Sequence, residues 1–254
     1  MGGWINIIVS PNSAYFVPNI WLCPLLNLSI KNKELDLMCK PFIRNHQYNL
    51  IKKQARNVQY ASKTVADPRV MEAIRYSAET QILEGFPSLT SDQRQLLEKV
   101  SVLHEAEDLQ QYLNSLTPNR VAFSQVTETQ LRKLFPKNKK LKLPDFSSID
   151  FLSFTYLSWL DIALNKMFLV YNLDDQIVGI EGKYIPTNKK DVCSLCKGHG
   201  EVALVTALTK SKPANASVDY YKAVGNYMCI NSEKCNDNIT DVTYLERFIK
   251  SIIR

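Results

Sequence analysis

The spacing of four cysteines, Cys193-x2-Cys196 followed by Cys229-x5-Cys235, constrains this chain more than any other feature. A two-residue gap is a poor disulfide outside redox motifs, but it suits a knuckle that aims two thiolates at one ion. In VCSLCKGHG, Gly198 and Gly200 permit the tight turn such a knuckle needs. Cys229 closes the apolar pair Tyr227 and Met228. Cys235 lies in NSEKCNDN, ahead of a helical stripe of Tyr244, Leu245, Phe248, Ile249 and Ile252. Knuckle, hairpin and helix in that order make a treble-clef arrangement. Four thiolates satisfy the tetrahedral preference of Zn²⁺ and leave no position for a substrate water, so one structural zinc ion is expected. The competing readings are a redox CxxC and unpaired core cysteines. His199, just behind the knuckle, is an alternative ligand that reads more simply as a solvated loop histidine.

The other two cysteines, Cys23 and Cys39, stand apart near the start. With 254 residues, 45% hydrophobic and 22% charged, the chain has an ordinary globular composition and room for one large domain or two small ones. A net charge of +6 gives mild attraction to polyanions or to an acidic protein surface and does not name a partner. Residues 1–37 are apolar, but they lack a basic n-region and are interrupted by Pro11, Pro18 and Pro24. That makes a poor signal peptide and a poor membrane span. Everything that reads as an organised domain begins after Met38, so residues 1–37 are read as an extension and Met38 as the natural start. The cytoplasm, where thiols stay reduced, is the expected compartment.

From Tyr48, the positions Tyr48, Ile51, Ala55, Val58, Ser62 and Val65 recur at spacings of three and four, which predicts an amphipathic helix ending near Ala66. Asp67 and Pro68 supply an N-cap and a first-turn proline for a second helix carrying Val70, Ala73, Ile74, Ser77 and Leu83 up to Gly85. Thr90 with Gln93 has capping-box spacing ahead of Leu96, Leu97, Val100 and Leu103, and Leu109, Tyr112, Leu113 and Leu116 form a fourth stripe. The predicted fold class is α+β. An antiparallel helical bundle over 38–122 precedes a mixed α/β domain over 123–254, which contains the treble-clef zinc finger. In that second domain Thr127 and Gln130 open a short helix. The apolar runs flanking Asp174 and Asp175 predict a β-hairpin of about 167–172 with 177–183. Loss of a zinc ligand is expected to melt the second domain and spare the bundle.

Catalytic constellations are missing: there are three histidines and no GxSxG, P-loop, GxGxxG or HExxH. A binding protein is expected rather than an enzyme. Arg132, Lys133, Lys137, Lys139, Lys140 and Lys142 form one basic cluster, while Lys189, Lys190, Lys197, Lys210, Lys212 and Lys222 surround the cysteines. A solvated basic face explains such runs as readily as a polyanion site does. Aromatic residues among basic ones suit either a protein interface or base stacking, so RNA is the alternative partner class.

The order of these parts is similar to a known family. HQYNLIKKQARNVQYASKTV, the helical bundle, LRKLFPKNKKLKLPDF, a β-rich segment, VCSLC, YMCINSEKC and a closing FIKSI resemble the FusB-type elongation factor G-binding proteins over residues 38–254. The resemblance implies a chain that binds elongation factor G through its zinc-bearing domain and promotes the factor's departure from the ribosome, relieving fusidic acid or assisting recycling. It also implies Cys193, Cys196, Cys229 and Cys235 as ligands and Tyr227 and Phe248 as interface aromatics. Lys197, Lys210, Lys212 and Lys222 are the accompanying basic candidates.

Overall fold

In the computed structural model, helix α1 runs over Asn45–Thr64 because its apolar residues recur on one side: Ile51, Ala55 and Val58 are fully buried. Burying a side chain the size of Ile51 or Val58 contributes about 1.5–3 kcal/mol. The Asp67 side chain then accepts a hydrogen bond from the Arg69 amide at 2.9 Å, and Pro68 takes the first position of α2, Pro68–Glu84. Here the expected stripe is corrected. Val70, Ala73 and Ser77 face solvent, whereas Ala78 and Ile82 are buried and Met71, Ile74 and Leu83 are half covered. The seam against α1 is narrow and follows 71, 74, 78 and 82, a phase that the neighbouring small residues disguise in the sequence.

Helix α3, Ser91–Glu98, opens on a complete capping box. The Gln93 amide donates to Thr90 Oγ1 at 3.3 Å and the Thr90 amide donates to Gln93 Oε1 at 3.0 Å. After a 3₁₀ turn at Lys99–Val102, α4 spans Ala106–Leu116 and buries Tyr112, Leu113 and Leu116. The Tyr112 hydroxyl donates to the Leu97 carbonyl at 3.0 Å, which satisfies the one polar group that ring carries into the core. Helix α5, Glu128–Leu134, starts at the Thr127 and Gln130 box.

The strands that follow are β1 Leu157–Asp161, β2 Lys166–Leu173, β3 Gln176–Pro186, β4 Asp191–Val192, β5 His199–Gly200, β6 Val202–Leu208 and β7 Ala223–Cys229. Five of them make an antiparallel sheet in the order β1-β2-β3-β6-β7, and β4 pairs with β5 in a separate two-stranded ribbon. The predicted hairpin is β2 with β3, closing at Leu173↔Gln176. Asp174 and Asp175 both have positive φ, 50° and 61°, as a two-residue hairpin turn of the right twist demands. Strand β2 is buried on both faces, so its period-two alternation divides it between two cores. Phe168 and Val170 join Leu131, Phe135 and Leu157 on one side. Met167, Leu169, Tyr171 and Leu173 join the cysteine-bearing core on the other. The last helices, α6 Ser232–Asn238 and α7 Thr243–Ile253, cover that second side.

Residues 41–254 form one compact unit. The structure describes residues 40–145, 149–209, 217 and 221–253. The expected extension with Cys23, the start at Met38, Cys39, and the lysines Lys210 and Lys212 lie outside the described residues.

Candidate metal centre

Three local devices bring the four cysteines to the centre. Cys193 and Cys196 flank a knuckle in which the Cys193 amide donates to the Gly198 carbonyl at 2.9 Å and the Lys197 amide donates to the Cys193 carbonyl at 3.0 Å. The left-handed residue of that turn is Lys197, with φ of 60°, rather than either neighbouring glycine. Strand β7 delivers Cys229 from its last position, where it lies opposite Val202. Cys235 comes from the first turns of α6, whose cap is the Asn231 side chain accepting from the Lys234 amide at 2.9 Å. A hydrogen bond from the Ser194 amide to the Tyr227 carbonyl, 2.8 Å, ties the knuckle to β7.

The four sulfurs lie within 4.8 Å of one another. Cys193 and Cys235 are 3.8 Å apart, and Cys196 and Cys229 are 3.7 Å apart. Disulfide sulfurs would be at about 2.0 Å. The observed separations instead match the edge of a tetrahedron, roughly 3.8 Å, around an ion with Zn–S bonds of about 2.3 Å. The donor set therefore fits a structural zinc. Sharing hydrogen bonds within the cluster splits the thiols: contacts with Cys196, Cys229 and Cys235 pull Cys193 far below the ordinary thiol range, while the Cys193 contact first pushes Cys229 and Cys235 up. A divalent cation removes that conflict by letting all four be thiolates. His199 faces solvent in β5 and is not part of the four-residue cluster.

The sequence reading missed what surrounds the sulfurs. Tyr156 is 1% exposed, and burial together with the neighbouring sulfurs of Cys235, Cys193 and Cys229 pushes its phenol well above the ordinary range, so it stays protonated. Asn236, the residue after that ligand, is 1% exposed and uses its whole side chain. Its Oδ1 accepts from the Thr155 amide at 2.7 Å and the Tyr156 amide at 3.2 Å, and its Nδ2 donates to the Tyr156 and Ser232 carbonyls at 3.0 Å each. From the other side, α1 of the bundle caps the zinc helix. Asn49 Nδ2 donates to the carbonyls of Asn236 and Ile239 at 2.6 and 3.0 Å, and Asn45 Nδ2 donates to that of Asn236 at 2.9 Å. These are carbonyls at the end of α6 that the helix itself leaves unpaired. The only sequence signal was two asparagines four apart at the start of a helix, where polar residues are ordinary.

Between these elements sits His46, whose pKa falls from 6.5 to about 4, chiefly because burial penalises the imidazolium; Arg44 adds repulsion, and Asp241 and Glu246 oppose the shift. A base with a depressed folded pKa is protonated first in the unfolded chain. Its contribution to stability is complete above about pH 6.5 and disappears as the pH falls towards 4. Stability at pH 4 is expected to be lower by up to roughly 3 kcal/mol on this account. His46→Gln should flatten that part of the profile in urea unfolding followed against pH, and an unchanged slope would contradict it.

The expected partner-facing residues divide. Tyr227 is 42% exposed beside the knuckle. Phe248 is 3% exposed and packs in the cysteine-bearing core, so the expected interface role is corrected to a core role; it lies on the inner side of α7 with Leu245 and Ile252. Tyr244, expected within the buried stripe, is instead 40% exposed, and the Lys197 ammonium sits 3.8 Å above its ring with the Arg247 guanidinium at 5.5 Å. The surface around the knuckle is thus Lys197, Tyr227, Tyr244 and Arg247. Lys222 is elsewhere, at the far end of β7 from Cys229, about 20 Å of strand away.

Among the described residues, no helix is long and apolar enough to cross a membrane. Two family models match the chain. One, described as elongation factor G-binding protein, N-terminal, covers residues 42–124, and the other, described as FBP C-terminal treble-clef zinc-finger, covers residues 133–247. Among solved structures, the fusidic acid resistance protein FusC is similar at 28% identity and a TM-score of 0.67, over 85% of this chain and 99% of that one. A comparison with curated proteins found no match.

Proposed function

Since this chain belongs to the elongation factor G-binding protein family, with both the N-terminal and the zinc-finger domain in order, we propose that it binds translation elongation factor G. The carrying observation is the coincidence of that family match with a four-thiolate site of tetrahedral dimensions. One zinc ion held by Cys193, Cys196, Cys229 and Cys235 would have a structural task, because four thiolates leave no coordination position for chemistry. The chain's own residues then do the binding. Lys197, Tyr227, Tyr244 and Arg247 are held around the knuckle, so little conformational freedom is lost when a partner covers them.

Binding alone does not dislodge a factor from the ribosome. Release follows only if the chain prefers a conformation of elongation factor G that holds the ribosome less tightly, by as much as that preference is worth. We read the function as such a release, which would free translation stalled by fusidic acid without contact with the drug. Calorimetry with purified elongation factor G is expected to give binding in the micromolar range or tighter, reduced at least tenfold by Tyr227→Ala with zinc retained. Ribosome-bound factor should dissociate faster in the presence of the chain. No heat of binding with wild-type, zinc-loaded protein would overturn the reading.

A further inference from the structure

A groove of about 1400 Å³ opens away from the zinc knuckle, between α5 with its following turn, the face of β3, and the ends of β6 and β7. It exceeds the roughly 300–1,000 Å³ of small-molecule sites, which points to a macromolecular occupant. Its charge is one-sided. Lys133, Lys137, Lys166, Lys183 and Lys222 line it against a single carboxylate, Glu181. Glu181 is already engaged by Lys166 and by Asn138 Nδ2. Among the described residues, none of Lys133, Lys137, Lys183 and Lys222 has a carboxylate in ion-pair range. Tertiary structure assembles this patch: Lys133 and Lys137 belong to the first basic cluster of the sequence, and Lys222 to the second.

Between the lysines the lining mixes polar Asn165 and Thr206 with aliphatic side chains, and Phe135 there is 4% exposed and offers no stacking face. Leu164 and Leu208 are 57% and 61% exposed, Leu134 contributes beside them, and Tyr221 stands at the rim. Gly179 lets Leu134 and Phe135 pack directly on β3, since a Cβ there would lie 2.9–3.0 Å from their side chains. Single-stranded nucleic acid is held by aromatic platforms on which bases stack, with cations for the phosphates. A floor with exposed leucines and a lysine rim suits instead a polypeptide segment that presents apolar anchors on one face and carboxylates on its edges.

We propose that this groove seats an acidic amphipathic segment of the chain's protein partner, as a second contact separate from the knuckle surface. The proposal rests on the reading that the partner is elongation factor G. The test compares wild-type chain with the variant Lys133→Glu, Lys137→Glu, Lys183→Glu, and separately with Leu208→Asp, all zinc-loaded and with matching circular dichroism. Calorimetry with elongation factor G is run at low and high salt, and in parallel each protein is titrated with a single-stranded RNA oligonucleotide. The charge-reversal variant is expected to bind the factor at least tenfold more weakly, with a flatter salt dependence, and Leu208→Asp to weaken it several-fold. Wild-type binding that neither variant alters would overturn the groove while leaving the functional reading standing. Absence of binding by the wild type would overturn that reading and this assignment with it. RNA binding lost in the charge-reversal variant, with factor binding unchanged, would also overturn the proposal in favour of a nucleic-acid groove.

Discussion

Replacing Cys235 by serine is expected to abolish zinc binding and unfold the cysteine-bearing core. The side chain is fully buried, at the junction of α6, Tyr156 and the other three sulfurs. Structural zinc sites contribute apparent binding free energies of about 10–16 kcal/mol, which equals or exceeds the roughly 5–15 kcal/mol by which whole domains are stable. Removing one thiolate therefore leaves little margin for the fold around it. The sequence-based expectation that the bundle would survive such a change does not fit the seam now visible. Asn45 and Asn49 of α1 donate to carbonyls of α6, and Arg120 Nη2 donates to the Leu152 carbonyl at 2.6 Å while its guanidinium lies 4.1 Å from the Tyr48 ring centre. Loss of α6 strands the Asn45 and Asn49 donors, and the Arg120 contact ties the bundle to the segment before β1, so bundle and sheet should lose stability together. Zinc content by mass spectrometry and thermal unfolding followed by far-ultraviolet circular dichroism would check this. A variant that keeps stoichiometric zinc would end the four-ligand assignment, and a bundle that melts independently at the wild-type temperature would end the coupling.

Asn236→Ala should be the second most damaging change, although Asn236 neither binds metal nor faces a partner. The alanine leaves the amides of Thr155 and Tyr156 and the carbonyl of Tyr156 without their present partner, in a region closed to water. Each buried group left unsatisfied costs about 1–3 kcal/mol, so the three together cost about 3–9 kcal/mol. Asn238→Ala provides the control: its Nδ2 donates to the Lys234 carbonyl at 2.6 Å on the exposed side of the same helix, and its loss should be worth under about 1 kcal/mol. Urea unfolding of both variants with zinc bound distinguishes the two positions. Equal, small effects would mean that the hub carries no particular weight.

What could be read in advance was whatever a few consecutive residues decide among themselves. The cap at Asp67, the boxes at Thr90 and Thr127, and the hairpin turn at Asp174 and Asp175 have local causes, and the structure contains each of them; it also brings together the sulfurs of Cys193, Cys196, Cys229 and Cys235. The resemblance in the cysteine-bearing segments pointed to the family for the same reason: those spacings are set by the geometry of one ion.

The misreadings all concern which way a face points. Tyr244 and Phe248 sit four apart in α7, yet one is exposed under Lys197 and the other is core, because the pitch of a helix does not say which side its sheet will cover. The stripe assigned to α2 is out of phase for the same cause. Asn45, Asn49 and Asn236 carried no distinctive sequence signal, since a polar side chain becomes structurally decisive only when a distant segment buries it, here across roughly 190 residues of chain. Local chemistry in the sequence by itself determined the metal site, the caps and the class of fold. Tertiary packing alone decided the seam that joins bundle to zinc helix and the basic groove assembled from two separate runs of lysine, because burial and proximity belong to the folded chain and not to any window of its residues.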